Sequence, residues 1–257
     1  MATILMPLPS KDFDPTESGV PWRVLHDRGH RIVFATPDGR PGEADPRMVT
    51  GEGLGPLARF LMADLNGRSA YEAMEQSTEF RDPIGYDAIA ETAFDALLLP
   101  GGHAKGMRPY LESSRLQSTV AAFFASRKPV GAICHGALLA ARSRIADASV
   151  LRGRKTTALT KLMELGAWAL TCSYLGDYYR TYRTTVEDEV RAVLAHGADF
   201  LRGPVALTRD SPGNLAAGFI VRDGNYLSAR WPGDAHRFAD EFTGMVERPM
   251  VEGAGIR

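Results

Sequence analysis

The chain is expected to form an α/β fold, a mainly parallel sheet with helices on both faces. Two features of the 257-residue sequence predict it. Short apolar runs alternate with amphipathic stretches, and the apolar runs close on Gly or Pro turns. The length suffices for one large domain, with room for an insertion.

The elements follow in order. Thr3-Ile4-Leu5-Met6-Pro7-Leu8 reads as a first strand. Residues 16–27 read as a helix, with Asp14 or Thr16 as cap, Pro15 near its first turn and Gly29 after its end. Arg31-Ile32-Val33-Phe34-Ala35-Thr36 is a second strand, and Phe94-Asp95-Ala96-Leu97-Leu98-Leu99-Pro100 a third, ending at Gly101-Gly102. Residues 116–126 form a helix, Lys128-Pro129-Val130-Gly131-Ala132-Ile133 a fourth strand, and residues 136–144 the next helix. Residues 41–93 break this rhythm and read as an insertion beside the active-site face, with a helix over 67–79. Residues 167–201 are helical in character. Short strands return at Val205-Ala206-Leu207-Thr208, Gly218-Phe219-Ile220-Val221 and Tyr226-Leu227-Ser228, with Asp223-Gly224 as the turn before the last. A helix over 234–246 closes a single domain spanning residues 1–257.

Composition excludes several classes. The 30 Lys and Arg against 31 Asp and Glu leave a net charge of −1, which gives no footprint for nucleic acid or an anionic membrane. Tyr174, Tyr178, Tyr179, Tyr182, Arg180 and Arg183 read as cover for a helix pair, their charge offset by Asp177, Glu187, Asp188 and Glu189. No apolar run is long enough to span a bilayer. The start, Met1-Ala2-Thr3-Ile4-Leu5-Met6-Pro7, lacks a basic region and a long apolar core, so no signal peptide is expected. Cys134 and Cys172 then read as free thiols of a cytoplasmic protein.

In such a sheet, ligands bind beyond the carboxyl ends of the strands. Three features fall there: the loop 10–17, Gly101-Gly102, and Cys134. Ala132-Ile133-Cys134-His135-Gly136 has the small-x-nucleophile-x-small pattern of a nucleophile elbow, whose tight turn exposes the nucleophile and needs small neighbours. A helix start at that point favours the thiolate, the reactive form. His135 is the adjacent general base or acid. The backbone N–H groups of Gly102 and His135 are candidate oxyanion donors. Gly101-Gly102 belongs to no nucleotide-binding fingerprint. Glu17, taken alone, is an ordinary carboxylate of a first helical turn. His103 is a candidate for the pocket wall, Cys172 reads as structural, and His26, His30, His196 and His236 have no assigned role.

The segments Leu99-Pro100-Gly101-Gly102-His103 and Val130-Gly131-Ala132-Ile133-Cys134-His135-Gly136 resemble the ThiJ/PfpI superfamily, whose fold is that of class I glutamine amidotransferase domains. Leu207-Thr208-Arg209-Asp210-Ser211-Pro212-Gly213-Asn214 is similar to a segment of its larger chaperone and glyoxalase III branch. The resemblance implies a flavodoxin-like three-layer sandwich and a homodimer. It implies a site in which a protonated glutamate, matched here by Glu17, hydrogen-bonds the Cys134 thiolate. It also implies a carboxylate that orients His135, for which Glu164 is the candidate. No cofactor and no metal are expected.

Two functions compete at this stage. One is a cysteine-dependent enzyme acting on a small carbonyl electrophile, as in glyoxalase III conversion of methylglyoxal to lactate or a related hydration or hydrolysis. The other is a non-catalytic stress protein, a holdase or a redox sensor. Glutamine amidotransferase chemistry is disfavoured because no H-x-E motif lies near the C-terminus. Protease activity is disfavoured by the insertion at 41–93, which narrows access.

Overall fold

The computed structural model describes residues 1–205 and 208–248. Its centre is a seven-stranded sheet made of β1 (Thr3–Pro7), β2 (Arg31–Thr36), β3 (Ile84–Gly85), β4 (Ala96–Leu99), β5 (Val130–Ile133), β6 (Ile220–Asp223) and β7 (Tyr226–Ala229). The order across the sheet is β6-β7-β5-β4-β1-β2-β3. Every pairing is parallel except that of β6 with β7. The strands β1, β4, β5 and β7 are almost wholly buried, which is why they read as unbroken apolar runs.

The longer helices among the described residues are α1 (Pro15–Asp27), α2 (Leu65–Gln76), α3 (Ser114–Ala125), α4 (Gly136–Arg142), α5 (Lys161–Leu175), α6 (Val186–Val193) and α7 (Ala235–Glu247). Helix α1 packs on α2 and α7, while α4 packs on α3 and α6. This is the flavodoxin-like arrangement. Helix starts follow local chemistry. Asp14 caps α1 by accepting from the N–H groups of Thr16 at 2.8 Å and Glu17 at 3.0 Å, with Pro15 at the first helical position. Thr160 and Thr185 cap α5 and α6 in the same way.

The structure revises several boundaries. The insertion 41–93 does more than flank the site, because its Ile84–Gly85 pairs with Ala35 and Thr36 as the edge strand of the sheet. Its helix α2 starts at Leu65, where Asp64 supplies the cap, and packs on α1. The helical stretch expected over 167–201 is two helices. The first begins at Lys161, and Gly176 with φ of +55° ends it. The strand expected at 205–208 includes Ala206 and Leu207, which lie outside the described residues.

Chain order positions the site. From β1 the chain builds outward through β2 and β3, then crosses back to place β4 on the other side of β1. The β1/β4 boundary is therefore the topological switch point, where the following loops diverge and leave a crevice. The loop after β1 leads to Glu17, the loop after β4 carries Gly101-Gly102, and the turn after β5 carries Cys134.

Candidate active site

The turn after β5 is strained where the elbow motif places the cysteine. Cys134 has φ of +57°, a left-handed conformation that a residue with a Cβ adopts at a cost of roughly 1–2 kcal/mol. Two contacts hold it. The Cys134 N–H donates to the Ala229 carbonyl at the end of β7 at 3.0 Å, and the Ala137 N–H donates back to the Cys134 carbonyl at 3.3 Å. The flanking glycines are required by close approach. A Cβ on Gly136 would lie 2.0 Å from the Leu99 carbonyl oxygen, and one on Gly101 would lie 2.6 Å from Glu17 Oε2.

His135 is buried, and its two ring nitrogens have separate partners. Nδ1 lies 3.5 Å from Cys134 Sγ, and Nε2 lies 3.1 Å from Thr181 Oγ1. The Thr181 hydroxyl donates its one hydrogen to the His103 carbonyl, so it accepts from His135 Nε2–H. The network thereby fixes the tautomer and leaves a bare Nδ1 facing the sulfur. Burial, then His103 and Arg142, push His135 down to about 3, so the ring is neutral at physiological pH and Nδ1 is an unprotonated but weak base.

The orienting role expected of Glu164 falls to Thr181. Glu164 accepts from the Val186 N–H at 2.9 Å and faces Arg180 Nε at 3.4 Å, tying α5 to the start of α6. Burial holds its carboxyl up at about 7, and it lines the cavity without reaching the imidazole. Thr181 was missed because it lies 46 residues from His135, in the connection between α5 and α6, with no local pattern to mark it. We expect Thr181→Val to lower turnover by about 10- to 100-fold, a part of the roughly 10²- to 10⁴-fold that a positioned general base contributes. The pH profile of Cys134 alkylation should shift as well, and Thr181→Ser should restore both. A pH profile unmoved by Thr181→Val would reduce the hydroxyl to a packing role.

Glu17 is fully buried in the first turn of α1. Its carboxyl faces the Cys134 thiol and the Gly101 N–H, without a hydrogen bond of normal geometry to either. Burial, and then the neighbouring Asp14, hold Glu17 well above the carboxylate range, so it carries a proton. Asp14 is itself raised to about 6, chiefly by burial. Burial, Glu17 and Asp14 also push the Cys134 thiol up, against the His135 N–H, which favours the thiolate. This runs against the expectation that the helix start, with His135 and a protonated Glu17, lowers the thiol's pKa. Cys134 is only 4% exposed, and that burial together with the nearby Glu17 and Asp14 outweighs one turn of helix. The thiolate thus depends on Glu17 keeping its proton and on His135 Nδ1 accepting one from sulfur.

These raised carboxyls set a pH dependence of stability. Asp14 at about 6, Glu164 at about 7, Asp210 at about 7 and Glu17 all bind protons more tightly in the folded chain than in the unfolded one. Where the folded state binds more protons, stability falls as pH rises, here from the unfolded carboxylate range near 4 upward. Glu17→Gln keeps the shape and removes one of these groups. Its melting temperature relative to wild type should therefore be higher at pH 8 than at pH 4, by about 2–4 °C for each 1 kcal/mol relieved. An equal difference at both pH values would mean that Glu17 is not protonated in the folded chain.

The site opens into a cavity of about 250 Å³. Its wall is mainly apolar, with Met48, Leu61, Leu159, Met163, Trp231 and Tyr179 among the lining residues. Gly102 and His103 line it as well, beside Cys134. The His135 N–H, expected as an oxyanion donor, lies close enough to the sulfur to favour its thiolate. His103 stacks on Tyr179 with ring centroids 4.4 Å apart, and burial lowers its pKa. Cys172 is a second free thiol on α5, with its Sγ turned to the Ala169 carbonyl. Among the described residues no cluster of His, Cys, Asp and Glu is arranged to hold a metal, and no helix is long and apolar enough to cross a membrane.

Comparison with known proteins bears on the family and the fold. A family model described as ThiJ/PfpI family-like matches residues 8–195. A deglycase of Thermococcus kodakarensis is 27% identical over 194 residues, covering 74% of this chain and 81% of that protein. An uncharacterized protein of Schizosaccharomyces pombe is 30% identical over 116 residues, and the match spans only 42% of its length and 44% of this chain. Among solved structures, a glyoxalase III from Candida albicans superposes with a TM-score of 0.67 over 95% of this chain and 97% of its own, at 17% identity, which speaks to the fold alone.

Proposed function

The chain belongs to the ThiJ/PfpI family, and on that premise we propose that it is a cofactor-free enzyme whose Cys134 sulfur attacks a small carbonyl electrophile. One observation carries the reading. A nucleophilic sulfur in a strained elbow faces an unprotonated imidazole nitrogen and a buried acid, at the floor of an apolar cavity. The deglycase relative supports an enzyme of this class.

For a 2-oxoaldehyde such as methylglyoxal the steps balance as follows. His135 Nδ1 takes the thiol proton, and the sulfur forms a bond to the aldehyde carbon while the carbonyl π bond breaks. The new oxyanion takes a proton and a hemithioacetal results. The proton on that carbon is removed, an enediol forms, and a proton is returned to the adjacent carbon, leaving a thioester on Cys134. Water then cleaves the thioester to a 2-hydroxy acid and the free thiol. The net reaction adds one water, and the internal transfer of hydrogen needs no outside oxidant or reductant. Glu17 holds its proton toward the sulfur throughout, and the dry wall strengthens each of these interactions.

The test is production of lactate from methylglyoxal without glutathione, followed enzymatically. Lactate formation at a rate proportional to protein is the expected result. Suppression of aggregation without any turnover would move the reading to a non-catalytic stress protein.

A further inference from the structure

The cavity is larger and more specifically equipped than a three-carbon dicarbonyl requires. At roughly 30 Å³ per water, its volume of about 250 Å³ holds about eight water molecules. Its mouth is apolar. Phe60 and Leu170 line the cavity while remaining 71% and 61% exposed. Leu162 of the same helix α5 is 69% exposed, although an apolar helix of this kind normally turns such residues inward.

Against this apolar surface stand three hydrogen-bond donors with no acceptor. Arg209 Nη1, Trp231 Nε1 and the Tyr179 hydroxyl are buried on cavity-lining residues, each without a partner among the described residues. Buried donors are normally paired, so three unpaired ones on residues of one cavity call for an acceptor that arrives from outside. The donors belong together. The Arg209 guanidinium lies 5.4 Å from the Trp231 ring centre, and its charge acts on Tyr179. Its Nη2 is fixed at 2.9 Å by the Met62 carbonyl, which holds the fork in place and leaves Nη1 unspent. Asp14 lines the same cavity and faces the same charge, with its Oδ1 capping α1.

We propose that the physiological substrate is an apolar electrophile bearing a carboxylate, with the carboxylate bound by Arg209, Trp231 and Tyr179 and the apolar body resting on Phe60, Leu170 and Met163. This rests on the reading of Cys134 as the nucleophile of the same cavity, and it adds the class of molecule presented to it. A guanidinium fork with adjacent N–H and O–H donors is matched to a planar carboxylate. The mixed wall then favours carboxylate-bearing electrophiles over small neutral aldehydes such as methylglyoxal, which still reach the sulfur but bind more weakly.

Calorimetric titration of the full chain with 4-phenylbutyrate and with 4-phenylbutyramide tests it, because the pair differs only in the charged group. The acid should bind at least tenfold more tightly than the amide. Arg209→Met should remove that preference and Arg209→Lys should keep part of it. Trp231→Phe, which deletes one N–H and keeps the ring, should weaken the acid about threefold and leave the amide unchanged. Equal affinity for acid and amide in the wild type, no heat from either, or an acid preference that survives Arg209→Met would overturn the proposal. Lactate formation from methylglyoxal is measured on the same preparation. Selective acid binding without turnover would refute the reaction and keep the recognition, and turnover with equal binding would do the reverse.

Discussion

Replacement of Cys134 by alanine is expected to lower turnover by at least about 10³-fold, or about 4 kcal/mol at 1.36 kcal/mol per tenfold. The loss is this large because every covalent step passes through the sulfur, and no other residue of the cavity wall is a comparable nucleophile. Serine should serve no better, since its hydroxyl is a far weaker acid than the thiol and Nδ1 at 3.5 Å is a weak base at a depressed pKa. Alanine keeps the Cβ and so keeps the cost of the +57° backbone, which leaves the fold the same strain to bear. The variant's melting temperature should stay within about 3 °C of wild type, so that lost activity reports lost chemistry. The check is steady-state kinetics beside thermal melts. Turnover within tenfold of wild type in Cys134→Ala would place the chemistry elsewhere.

Replacement of Gly136 by alanine should produce the largest change in stability. The added Cβ would stand 2.0 Å from the Leu99 carbonyl oxygen and 2.8 Å from its carbon, well inside contact with backbone that cannot swing away. Leu99 is the last residue of β4 and is paired with Ala132 of β5, so relief requires moving two central strands or the start of α4. A forced shift of this kind costs about 3 kcal/mol or more. In a chain of this size that lowers the melting temperature by about 6–12 °C, out of a total stability of about 5–15 kcal/mol. Circular dichroism melts measure it directly. A variant that melts within about 2 °C of wild type would show that the elbow has slack, and the tight turn would lose its structural explanation.

The two expectations share a source that the sequence made visible. Ala132-Ile133-Cys134-His135-Gly136 is a local pattern, and the small residues it needs are within two positions of the nucleophile. The strands were legible for the same reason. A strand buried on both faces must be apolar at every position, and Leu97-Leu98-Leu99 satisfies that without reference to any distant residue. Glu17 stood between the two cases. Its own surroundings in sequence read as a plain helix start, and only family resemblance set it beside the sulfur, where the fold buries it completely.

What the sequence determined by itself is therefore the local part: the parallel α/β class, the elbow, a helix start capped by Asp14 or Thr16, and the neighbouring Cys134 and His135. The tertiary structure decided everything that depends on residues distant in the chain. It gave His135 Nε2 to Thr181 instead of Glu164, because the α5–α6 connection brings a hydroxyl to the ring while Glu164 is held by Val186 and Arg180. It turned Ile84–Gly85 of the insertion into a sheet edge, through backbone bonds that leave little imprint on side-chain pattern. It raised the proton affinities of Glu17 and Cys134, since desolvation depends on everything packed around a group. And it gathered Tyr179, Arg209 and Trp231 from three separate loops onto one wall, a convergence that exists only where the chain crosses the carboxyl ends of its own strands.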